Sequence, residues 1–65
     1  MELYSHNKYK GYHLFVECLV SDDEEYPWYE GVAQMNGNTY FESKSHISGD
    51  NAEQVLMDKI DTYLK

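Results

Sequence analysis

Cys18 is the only cysteine in a chain of 65 residues, and that narrows what the chain can become. Domains this small hide only about 60% of the surface their unfolded forms expose, and many are rescued by disulfides or a structural metal. One cysteine closes no disulfide within the chain, and no Cys/His cluster has zinc spacing. Residues 1–65 are therefore expected to form a single domain held by the packing of one core. Aromatic side chains, 15% of residues and mostly tyrosine, supply area for that core at little cost in side-chain entropy. An unpartnered thiol suits a reducing compartment, and no apolar run approaches the ~20 residues of a membrane span. A cytoplasmic location is the resulting expectation.

Charge excludes more than length does. Twelve acidic residues face five lysines, giving a net charge of -7 on a very small body. Phosphate backbones are bound by clustered Lys and Arg, whereas the cations here are scattered at Lys8, Lys10, Lys44, Lys59 and Lys65. Direct binding to nucleic acid and to anionic membrane surfaces is disfavoured on the same ground. A basic partner fits instead, and simple solubility is the alternative use of such acidity.

Periodicity predicts an α+β fold. Residues 1–8 hold no sustained period and read as a lead-in whose Leu3 and Tyr4 dock on the core. Tyr12, Leu14, Val16, Cys18 and Val20 then alternate with His13, Phe15, Glu17 and Leu19, which marks a strand. It stops at a run of like charges, Asp22 to Glu25, read as a loop. Pro27 lacks a ladder donor and suits a strand start, so Trp28 to Met35 is the second strand, with a bulge expected at Gly31. Asn36-Gly37-Asn38 tolerates the positive φ of a hairpin turn and leads to a third strand from about Thr39 to His46. Asp50 and Glu53 have capping-box spacing. A helix from about Asp50 to Leu64 follows, with Ala52, Val55, Leu56, Ile60, Tyr63 and Leu64 on one face and Gln54, Asp58 and Asp61 on the other. The predicted architecture is a three-stranded antiparallel meander packed in two layers against one C-terminal helix.

No constellation for catalysis emerges. His6, His13 and His46 share no ligand spacing and read as hydrogen-bonded or exposed side chains. Cys18 lies in the core register of its strand and reads as a small hydrophobe, not a nucleophile. The run Asp22-Asp23-Glu24-Glu25 lacks the alternate spacing and turn glycine of a calcium loop, and no phosphate-binding glycine loop is present. Neither an enzyme nor a cofactor or metal site is expected. The acids of 22–25 lead directly into Tyr26, Trp28, Tyr29 and Glu30, and Tyr and Trp are enriched where a partner buries a surface. Two readings stand for that juxtaposition: a partner-binding surface, or a solvated loop beside a core-anchoring Trp28. Asp58 and Asp61 form a second acidic set on the outer helix face, where like charges three apart give no folding benefit.

Trp28-Tyr29-Glu30-Gly31-Val32, Ser48 to Leu56 and Ile60 to Leu64 together are similar to HicB-like antitoxin domains, a resemblance that spans about half of the chain. It implies a three-stranded sheet followed by a helix and a role in neutralising a small basic toxin ribonuclease. In size, acidity and lack of catalytic residues the whole chain resembles phage anti-CRISPR proteins, several families of which are acidic nucleic-acid mimics. That resemblance implies a non-catalytic inhibitor, a monomer or weak homodimer, that occupies the basic surface of a nucleic-acid-binding protein such as a CRISPR effector subunit. Asp22, Asp23, Glu24, Glu25, Tyr26, Trp28, Tyr29, Glu30, Asp58 and Asp61 are the partner-binding residues expected from this reading.

Overall fold

Two tight turns decide the topology. Lys10 and Gly11 have φ of 51° and 89°, and Asn36 and Gly37 have φ of 54° and 81°. Positive φ at both central residues is the type I′ pattern, whose twist matches that of the strands it joins. Tyr9 accordingly pairs with Tyr12, and Met35 with Asn38. The computed structural model describes residues 2–20 and 27–65, and orders them as β1 (Glu2–Tyr9), β2 (Tyr12–Leu19), β3 (Trp28–Met35), β4 (Asn38–Ser45) and α1 (Gly49–Tyr63). The strands form one antiparallel sheet in the order β1-β2-β3-β4. Residues 21–26, and with them the loop expected at 22–25, lie outside the described residues.

The α+β class, the meander and the C-terminal helix match the expectation, but the sheet has four strands, not three. The segment read as a lead-in is β1. Its positions facing the helix are Ser5, Asn7 and Tyr9, so it lacks the apolar alternation that marks a strand buried on one face. Polar contacts dock it instead. Glu53 accepts hydrogen bonds from Ser5 Oγ (3.4 Å) and Asn7 Nδ2 (2.5 Å), and the Tyr9 hydroxyl lies 2.9 Å from both Asp61 oxygens. A register shift between Leu3 and Ser5 turns Tyr4 toward the helix start, where its ring stacks edge-on against Tyr29 and its hydroxyl donates to Asp50. Gly49 is needed beneath that ring, because a Cβ there would collide with it.

The core lies between the sheet and α1. Tyr12, Leu14, Val16, Ala33, Ala52, Leu56 and Ile60 are buried, flanked by Tyr9, Met35, Phe41 and Met57. Gly31 carries no bulge; the irregularity falls between Ala33 and Gln34. Its missing side chain instead makes room for Leu56. Cys18 is only half-buried, and Val20 lies past the strand end and is exposed. Tyr63 and Leu64, expected on the buried face, are exposed as well. The helix reaches the β1–β2 turn at Asp61, which pairs with Lys10, so its last turn runs beyond the sheet.

The helix cap also differs from the expected box. Ser48, with extended backbone (φ -166°), accepts from Asn51 N at 3.0 Å and is the N-cap. That leaves Asp50 in the first turn, where a carboxylate favours the helix dipole, and frees Glu53 to reach β1. Buried Ser45 secures the approach, donating to Asn51 Oδ1 (2.8 Å) and accepting from the amides of Ile47 and Ser48. No helix of the described residues is long and apolar enough to cross a membrane.

Candidate functional site: the uncovered face of the sheet

A single helix covers one face of the sheet, and among the described residues nothing covers the other. Residues directly opposite in antiparallel strands share a face, so the register lays out this surface as rows. One row is Leu3, Glu17, Glu30, Lys44; the next is His6, Phe15, Val32, Glu42; the third is Lys8, His13, Gln34, Thr39. Leu19 and Trp28 face each other at the end beyond the first row. Half-buried Phe15, Leu19, Trp28 and Val32 make an apolar strip, bordered by Glu17, Glu30 and Glu42.

The first row brings like and unlike charges together. Glu17 stands directly opposite Glu30, a cross-strand pairing of like charges that opposes folding. Trp28 Nε1 donates to Glu30 Oε2 at 2.7 Å, which orients that carboxylate. Lys44, opposite Glu30, has its ammonium 5.5 Å from the centre of the Trp28 ring. Glu42 lies in the adjacent row on β4, so three strands bring carboxylates to one face.

The residues expected from the sequence to bind a partner do not form one surface. Asp22, Asp23, Glu24, Glu25 and Tyr26 lie outside the described residues. β2 ends at Leu19 and β3 begins at Trp28, at the end of the sheet that carries Glu17 and Glu30. Trp28 and Glu30 lie on the uncovered face, whereas Tyr29 points to the opposite side and packs on Tyr4. Asp58 and Asp61 are on α1, across the sheet from that face. Asp58 accepts from Gln54 (3.1 Å) at the rim of a shallow depression lined by Phe41, Val55, Lys59 and Thr62.

Asp61 is not a free outer charge, contrary to the helical-wheel reading. It accepts from Lys10 Nζ at 2.5 Å and from the Tyr9 hydroxyl, and these bonds hold its carboxyl below the usual carboxylate range. The same contact raises the Lys10 ammonium. Asp50 and Glu53 are likewise engaged by β1. The helix acids nearest β1 thus have structural roles, whereas on the sheet face Glu30 is bonded to Trp28 and faces Lys44, and Glu17 and Glu42 carry no side-chain bond among the described residues.

Glu17 and Glu42 were missed as candidates. Glu17 was legible as an outward position of its strand, between Phe15 and Leu19, but its meeting with Glu30 depends on the pairing of β2 with β3. Comparison with known proteins adds no relative, since no family model, no curated protein and no solved structure matches the chain. The functional reading rests on the chain's own chemistry.

Proposed function

We propose that this protein is a non-catalytic acidic inhibitor, anti-CRISPR-like in mode, that occupies the basic surface of a nucleic-acid-binding protein and keeps nucleic acid out. The observation that supports the reading is Glu17 facing Glu30 on an uncovered sheet face, with Glu42 in the next row. Opposed like charges weaken a sheet, and lysines or arginines of a partner would turn that repulsion into attraction. Phe15, Leu19, Trp28 and Val32 supply the area that excludes water between such ion pairs, and Trp28 is the anchor expected to contribute most. Asp22, Asp23, Glu24 and Glu25 add to the net charge of -7, whose field steers a basic partner.

The test is displacement of labelled DNA or RNA from CRISPR effector complexes, with a small basic ribonuclease assayed in parallel. The parent protein should displace nucleic acid, and its potency should fall steeply between about 50 and 200 mM salt as screening shortens the reach of exposed charges. The triple variant Glu17→Gln, Glu30→Gln, Glu42→Gln should displace little while keeping its melting transition. A parent that suppresses the ribonuclease yet displaces no nucleic acid would support the HicB-like antitoxin reading instead. Inhibition undiminished in the triple variant would remove the sheet face from the mechanism.

A further inference from the structure

We propose that His6 and His13 form a two-histidine chelate for a divalent transition-metal ion of the zinc, nickel or copper class, on the uncovered face of the sheet. β1 pairs with β2 so that His6 stands opposite Phe15 and Lys8 opposite His13, which makes the two histidines diagonal neighbours on one face. Their rings meet, with His6 Nε2 lying 3.3 Å from His13 Nδ1. Two imidazole nitrogens bound to one zinc ion at ~2.0–2.1 Å and a tetrahedral angle sit ~3.3–3.4 Å apart. The observed separation already matches that bite, so binding requires rotation of the rings and no movement of the strands.

Phe15 braces the pair. Its ring stacks on His6 at 4.4 Å with planes 12° apart, and lies 6.4 Å from the His13 ring at 23°. The stack keeps the two imidazoles side by side before an ion arrives, and the turn that aims both lone pairs at one ion is made against it. Imidazole nitrogen selects the borderline metals over calcium and magnesium, which take oxygen ligands. Among the described residues no third His, Cys, Asp or Glu joins the pair, so the remaining coordination positions are open to water or to a group from a bound partner. A net charge of -7 favours accumulation of cations around the molecule, against the local opposition of Lys8.

Without metal, one of the two facing nitrogens carries the proton of the ring–ring hydrogen bond. Chelation needs both lone pairs, so the proton between the rings moves to the other nitrogen of its ring or leaves to solvent.

Titration of tag-free protein with zinc chloride and with nickel chloride, read by calorimetry and by imidazole NMR, tests the site. One ion per chain should bind, shifting or broadening the ring signals of His6 and His13 and leaving those of His46 unchanged. The melting temperature should rise with added metal. His6→Gln and His13→Asn each place an amide where the ring nitrogen was, and each should weaken binding by at least about tenfold; His46→Ala should not. Unmoved His6 and His13 ring signals at millimolar zinc, or metal affinity in both variants equal to the parent's, would show that the pair only hydrogen-bonds. Should a variant melt lower than the parent without metal, the parent's ring signals decide.

Discussion

Leu56 fills the space that a side chain at Gly31 would need: a Cβ built on Gly31 would lie 2.8 Å from Leu56 Cδ1 and 2.7 Å from Ser43 Oγ. Leu56 is wholly buried, and Ser43 donates to the carbonyl of Ala52, so neither neighbour is free to retreat. Gly31→Ala should cost about 1–3 kcal/mol through overpacking, and Leu56→Ala about 2–5 kcal/mol through the cavity it leaves. Because the two changes act on one contact, the double variant should lose less than the sum of the single losses. Denaturant melts of the four proteins measure this; strict additivity would mean that α1 does not rest on Gly31.

Gly37 separates backbone cost from packing cost. Its φ is +81°, and nothing lies within 4 Å of where a Cβ would stand. Gly37→Ala should therefore destabilise by about 1–2 kcal/mol, the cost of a left-handed conformation alone. The comparison is Gly37→Asn, which tolerates that conformation and should be markedly milder. Equal losses for the two substitutions would argue against the type I′ turn.

Docking of β1 through Glu53 predicts a local response to its loss. Glu53→Ala removes the acceptor for Ser5 and Asn7 and should cost about 0.5–1.5 kcal/mol. Amide exchange should accelerate in β1 more than in β3, since β1 is an edge strand held to the helix by these bonds. Uniform acceleration across the sheet would show that β1 has no separate dependence on the helix.

The Lys10–Asp61 contact should shape stability at both ends of the pH scale. Asp61 is lowered from 3.8, so its contribution is fully present above that value and is lost as pH falls through the lower folded-state value. Lys10 is raised from 10.5, so its contribution is present below that value and is lost as pH rises through the higher one. Tyr4, raised chiefly by the charge of Asp50, loses its contribution on the same alkaline side. Subtracting the melting profile of Lys10→Met from that of the parent should isolate a small difference that is flat near neutrality and shrinks at both extremes. A difference unchanged between acid and neutral pH would exclude the ion pair as its source.

Removing a carboxylate from the opposed pair should separate stability from binding. Glu17→Gln relieves repulsion with Glu30 and should stabilise the fold by about 0.2–1 kcal/mol while slowing association with a basic partner. The paired measurements are a thermal melt and an association rate. A fall in melting temperature would mean that Glu17 contributes to the fold and is not held against a folding cost.

Much of this fold was legible because its signals are local. Asn36-Gly37 announces its turn through the backbone freedom of those two residues, and the β3 span from Trp28 to Met35 is the one expected. Ala52, Leu56 and Ile60 lie on one helix face by spacing alone, and all three are buried. Lys10-Gly11 is a turn of the same kind that went unread, because the segment before it shows no apolar alternation. That segment is β1, whose inner positions are satisfied by carboxylates 46 to 52 residues away in sequence. A strand docked by hydrogen bonds leaves no hydrophobic period to detect.

The candidate sites divide along the same line. Composition established a small, strongly acidic chain dependent on one packed core, and alternation showed which residues of β2 face together. Which acids are free and which are used depends on tertiary contact: Asp61 belongs to Lys10 and Tyr9, whereas Glu17 meets Glu30 without a described partner. His6 and His13 looked unrelated at seven residues apart, until the hairpin brought their ring nitrogens to 3.3 Å. Residue type and local period are written along the chain, but an electrostatic or ligand site depends on distances between segments, and those are set only when strands choose their register and the helix chooses its face.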